Sequence, residues 1–164
     1  MARKLTRELR EQYLGYVSAA AGAADDLRFL LSHLEHDVAC VECTPKCLEQ
    51  LEALYWRIRD GSVEIPSDLG GADDFAELAC RFLGQCVVQA GGRWIQSVEP
   101  NRRFGQPCLD GFGNQAWDRI YPVELAQGLA TLRSTNPSFP GARDRTVLSR
   151  QLRRALELRA GKGG

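Results

Sequence analysis

Residues 33–47, HLEHDVACVECTPKC, decide how the chain folds. Both histidines of the protein and three of its six cysteines fall inside this stretch. It also carries the stop of one helix and the start of another. Upstream, Leu27, Leu30, Leu31 and Leu34 repeat at the i, i+3, i+4, i+7 spacing of a buried stripe, behind Asp25 and Asp26 as capping residues. That helix is expected to run out near His36–Ala39. Downstream, Thr44 is an N-cap, and Pro45 takes the first helical position, where its missing N–H costs nothing. Leu48, Leu51, Tyr55 and Ile58 form the inner face of the helix that follows.

Working outward, LTRELREQYLGYV predicts a first helix with Leu5, Leu9, Gln12/Tyr13 and Tyr16 on one face, closed by a break at AAAGAADD. Residues 1–60 are therefore expected to form a three-helix unit. DGSVEIPSDLGGADD interrupts the periodicity with Gly, Pro and Ser and is taken as the boundary. A second unit is expected over 72–160. It opens with the helix DDFAELACRFLGQCVVQA, with Phe75, Leu78, Ala79, Phe82, Leu83, Cys86 and Val87 inward and Gly91-Gly92 closing it. RWIQSVE, QPCLDGF and AWDRIYPV read as three short strands of an antiparallel sheet. VELAQGLATLR returns to helix, STNPSFPGA is a loop, and RTVLSRQLRRALELRA is a last amphipathic helix. The expected fold class is α+β and mostly helical.

The chain has 164 residues, with 21 basic and 21 acidic side chains. Zero net charge argues against a dedicated nucleic-acid binder, which carries a basic excess. No apolar run is long enough to span a bilayer, and MARKLTRELR is not followed by the apolar core of a secretory signal. A cytoplasmic, non-membrane protein is expected. In that compartment cysteines are metal-bound, redox-active or buried rather than paired in structural disulfides.

His36-x3-Cys40-x2-Cys43 has the spacing of a zinc site. A Cys-x2-Cys turn lets two thiolates meet one ion at about 2.3 Å each, and a histidine one helical turn earlier can approach the same point. The positive end of the helix that starts at Thr44-Pro45 favours the thiolate form. Tetrahedral Zn²⁺ needs a fourth ligand. Cys47, one turn into that helix, is the first choice, and His33 the second. The same residues also fit a reactive thiol pair ahead of a helix, or cysteines buried as small hydrophobes.

HDVACVECTPKCLEQLEAL, preceded by two amphipathic helices, resembles the zinc-binding anti-sigma domain of bacteria. That family sets His-x3-Cys-x2-Cys between its second and third helices, and His36, Cys40 and Cys43 match it. The resemblance covers Arg3 to Arg59. It implies Zn²⁺, a sigma-factor partner held by the helices, and in some members release when the thiols oxidise. The family takes its fourth ligand from the first helix, whereas residues 3–17 here contain neither His nor Cys. The later segment GGRWIQSVEP…QPCLDGFG…WDRIYPVELAQGL resembles small uncharacterised bacterial α+β domains, some with immunity or interaction roles.

The second half offers no catalytic constellation. Asp110 and Asp118 lie among Arg93, Arg102, Arg103 and Arg119 without an evident nucleophile, and no histidine follows residue 36. DGFGN is a hairpin turn rather than a dinucleotide loop, Cys108 has no evident base, and Cys80 and Cys86 read as core. Trp94, Phe104, Phe112 and Trp117 are core first and a partner surface second. In the last helix Leu148, Leu152 and Ala155/Leu156 dock, while Arg143, Arg145, Arg150, Arg153 and Arg154 are solvated or face an acidic partner or a phosphate backbone. The expected function is a non-enzymatic, zinc-stapled protein-interaction module of regulatory, anti-sigma-like type. The alternatives are a metal-free immunity or adaptor protein that binds its partner through the α+β half, and a thiol-redox protein using Cys40/Cys43.

Overall fold

The computed structural model describes residues 3–34, 41–113, 118–131 and 146–161. Helix α1 (Arg7–Ala21) starts at Thr6, whose hydroxyl accepts the Leu9 N–H at 3.2 Å. It runs beyond the expected end near Val17, because the alanines that follow are strong helix formers and the chain turns only at Gly22. α2 (Ala23–His33) follows at once and buries Leu27, Leu30 and Leu31, with Leu34 buried just beyond. Its first turn is capped from a distance: the Gln85 side chain accepts the Ala24 N–H at 3.2 Å. α2 ends at His33, where Leu34 turns to extended backbone, earlier than the expected His36–Ala39.

α3 (Pro45–Arg59) begins as its sequence predicts, with the Thr44 hydroxyl accepting the Cys47 N–H at 3.1 Å and Pro45 in the first turn. A 3-10 turn at Ser67–Leu69 leads to α4 (Ala72–Gln89), which touches α1, α2, α3, α5 and α6 and so forms the centre of the molecule. Of its expected inward residues Phe75, Ala79, Phe82, Leu83, Cys86 and Val87 are buried, and Leu78 is only partly so. One continuous core joins them to Leu27 of α2, Leu48 and Leu51 of α3, and residues of both later helices.

Strands β1 (Arg93–Gln96) and β2 (Pro107–Asp110) pair antiparallel, with Trp94 opposite Leu109 and Ile95 opposite Cys108. The expected third strand is not formed among the described residues. Ile120 only bridges Leu109, through N–H···O bonds of 2.9 and 3.2 Å. The reason is local: Pro122 opens α5 (Pro122–Thr131) two residues later, so the chain touches the sheet at one point before turning helical. The sheet therefore has two strands. The Trp94 indole packs onto α4 at Gly84, where a Cβ would lie 2.4 Å from the ring.

The last helix, α6 (Val147–Ala160), packs against α3 and α4. Thr146 precedes it without a side-chain cap. Glu52 of α3, fully buried, takes that role instead, accepting the N–H groups of Val147 and Leu148 at 3.1 and 2.9 Å. An anion at the positive end of a helix is favourable, and here it ties together two elements far apart in sequence. Leu148, Leu152 and Ala155 dock as their spacing predicts, while Arg153 and Arg154 pair with Glu49 and Asp118.

Candidate thiol and metal site

Of the five expected ligands, His33, Cys43 and Cys47 are placed, whereas His36 and Cys40 lie outside the described residues. Cys43 immediately precedes the N-cap of α3 and is half-buried against the core. Its thiol interacts with that of Cys86 on the inward face of α4, and the pair shift each other's ionisation in opposite directions. The hydrogen bond between them is the main reason the Cys43 thiol is held below the usual range. Burial opposes the shift, and the Arg28 guanidinium supports it. Arg28 is itself anchored at this corner, 2.7 Å from Asp25 and 3.2 Å from the Val41 carbonyl. Cys86 moves in the other direction, chiefly through the same hydrogen bond, and burial adds to the effect.

Cys47 is buried one turn into α3, close enough for its charge to raise Cys86 further. His33 is exposed on the last turn of α2. Its Nδ1 lies 2.8 Å from the Phe29 carbonyl oxygen and its ring 4.6 Å from the Phe29 ring. Among the described residues no three His, Cys, Asp or Glu side chains are grouped so as to hold a metal ion.

The Cys43 and Cys86 thiols are neighbours between the start of α3 and α4. Two thiolates on a tetrahedral zinc, bonded at about 2.3 Å, lie about 3.8 Å apart, close to the separation of hydrogen-bonded thiols. From the sequence, Cys86 is an inward cysteine on a helical stripe and nothing more. Its nearness to Cys43 depends on α4 packing against α3, which no local spacing encodes.

The other thiols are inert by comparison. Cys80 and Cys108 are fully buried, and burial pushes Cys108 up to about 11 and Cys80 further still. Near Cys108 the Tyr121 hydroxyl donates to Glu99 at 2.9 Å, and Arg103 forks onto Glu124 at 3.0 and 3.1 Å. These bonds pin the loop between the strands to α5. Buried as it is, Cys108 offers no open nucleophile.

No protein-family model matches the chain, and neither the curated proteins nor the solved structures contain a significant match. Among the described residues no helix is long and apolar enough to cross a membrane.

Proposed function

We propose that this protein is a non-catalytic protein-binding module in which a zinc ion staples the junction of α2 and α3 onto α4. His36, Cys40 and Cys43 supply three ligands from the local motif, and Cys86 supplies the fourth in place of Cys47 or His33. The nearness of Cys43 to Cys86 in the core, where each shifts the other's ionisation, supports this reading. Bound there, zinc would act as a structural cross-link whose binding free energy adds to folding. The helix N-terminus and Arg28 favour the anionic sulfur that such an ion requires. A partner would be met by the outer faces of α1 and α2, where Leu14 and Phe29 are 62% and 58% exposed. A regulatory, anti-sigma-like role agrees with this arrangement.

Metal analysis of protein purified without chelator tests the reading. One zinc per chain is expected, lost in Cys43→Ser and in Cys86→Ser and retained in Cys47→Ser and Cys80→Ser. Full zinc occupancy in Cys86→Ser would remove α4 from the site, and metal-free wild-type protein would end the proposal.

The same nearness supports a second reading, a thiol pair that cycles between reduced and oxidised forms. Peroxide would oxidise the Cys43 thiolate to a sulfenic acid with release of hydroxide, and Cys86 would condense with it to a disulfide with loss of water. In zinc-free protein, peptide mapping after peroxide would find the Cys43–Cys86 disulfide under this reading, and Cys43 sulfinic acid without it.

A further inference from the structure

A cleft of about 420 Å³ lies between α4 and α5, with Tyr16 of α1 in its wall. Its two sides differ in chemistry. α5 contributes Val123, Ala126 and Ala130 together with the polar Gln127, and the two alanines leave the space open. α4 contributes Asp73, Glu77 and Arg81, each one helical turn from the next.

The polar groups are unequally satisfied. Asp73 is committed to Arg59 at 2.5 Å. Glu77 and Arg81 meet only at 3.4 Å, long against the roughly 2.7–2.9 Å of a strong charged hydrogen bond. The Arg81 Nε is buried without a hydrogen-bond partner among the described residues, and its guanidinium lies 5.5 Å from the centre of the Tyr16 ring. The Tyr16 hydroxyl likewise makes no hydrogen bond among the described residues, and burial raises its pKa. One anion, one cation and one hydroxyl with bonding capacity to spare thus face a mostly apolar wall that also carries the Gln127 amide.

We infer that this cleft binds a small zwitterion with an apolar substituent, the chemistry of a free amino acid such as leucine or phenylalanine. Its carboxylate pairs with Arg81 and the Tyr16 hydroxyl, its ammonium with Glu77, and its side chain covers Ala126 and Ala130. A ligand with a single charge would satisfy one half of the Glu77–Arg81 pair and be repelled by the other. A zwitterion replaces both halves at once. The volume is within the usual range for small-ligand sites and accommodates a body of this size.

The test is a titration of the full-length protein, by calorimetry and by amide chemical shifts, with L-leucine and L-phenylalanine to tens of millimolar. Each is compared with its N-acetyl and methyl-ester derivative. Expected are shifts confined to α1, α4 and α5, and a loss of about tenfold or more in affinity on blocking either end, as for a charge-assisted hydrogen bond. Arg81→Gln and Glu77→Gln should cost a similar factor. Ala130→Leu should abolish binding by filling the cleft, with Ala126→Leu as a second filling variant and circular dichroism confirming that each is folded. Absence of shifts at the cleft with both amino acids overturns the inference. So does equal binding of the blocked derivatives, or binding that survives in a folded filling variant.

Discussion

Replacing Glu52 tests whether this buried carboxylate is what anchors the last helix. Its two oxygens accept the Val147 and Leu148 N–H groups at 3.1 and 2.9 Å, and the side chain is fully buried. Hydrogen bonds to a charged group contribute about 1.5–3 kcal/mol each, and Glu52→Ala removes both. Val147 is half-buried and Leu148 fully buried, so water can replace the lost acceptor for the first amide more readily than for the second. The net loss should be about 3–5 kcal/mol. For a chain of this size each kcal/mol lowers Tm by about 2–4 °C, which puts the drop at roughly 6–20 °C. Glu52→Gln keeps one acceptor oxygen and should lose about half as much. Glu49→Ala, on the same helix, removes only the exposed pair with Arg153 and should cost less than about 1 kcal/mol. Thermal melts followed by far-UV circular dichroism report all three. If Glu52→Ala melts within about 2 °C of the parent, the carboxylate is not holding α6 and the reasoning fails.

Gly84→Ala should cost about 1–3 kcal/mol in urea unfolding, because its Cβ would lie 2.4 Å from the Trp94 ring and force the indole off α4. A change in tryptophan fluorescence should accompany it, and unaltered fluorescence and stability would show that the ring is not seated there. In chelator-treated protein, iodoacetamide should modify Cys43 ahead of Cys80 and Cys108, since its thiol lies low and theirs lie high. The rate should reach half its maximum at a higher pH in Cys86→Ala, where the hydrogen bond between the two thiols is gone, and an unmoved midpoint would refute that bond. Glu99 is held below the ordinary carboxylate range chiefly by the Asn101 amide, with Tyr121, Arg103 and Arg119 adding to it. Its contribution to stability is therefore complete above the unfolded pKa of about 4.3 and is lost as pH falls through the lower folded value. Glu99→Gln should flatten the fall of the urea midpoint below that pH, and an unchanged slope would count against the assignment.

The expectations that held rest on information inside a few turns of chain. Thr44-Pro45 starts α3 because a hydroxyl three residues from an amide is a local geometry. Leu27, Leu30 and Leu31 of α2 and Leu148 and Leu152 of α6 are buried because periodicity alone sets which face is apolar. The errors have the opposite character. The segment with strand-like residues before Pro122 reaches β2 only at Ile120, since the start of α5 competes for the same backbone. Glu52 reads as one more polar residue on α3 until the start of α6 is brought against it.

Where most helices lie, which faces they bury, and the metal-motif spacing of His36, Cys40 and Cys43 can all be read along the chain. Only the packing of distant helices shows that Cys43 lies near Cys86, that Glu52 caps α6, and that Glu77, Arg81 and Tyr16 line one cleft with α5. The division has a simple cause. Periodicity and capping are short-range and can be counted along the chain, whereas these partners are dozens of residues apart and meet only through the packing of α4 against its neighbours.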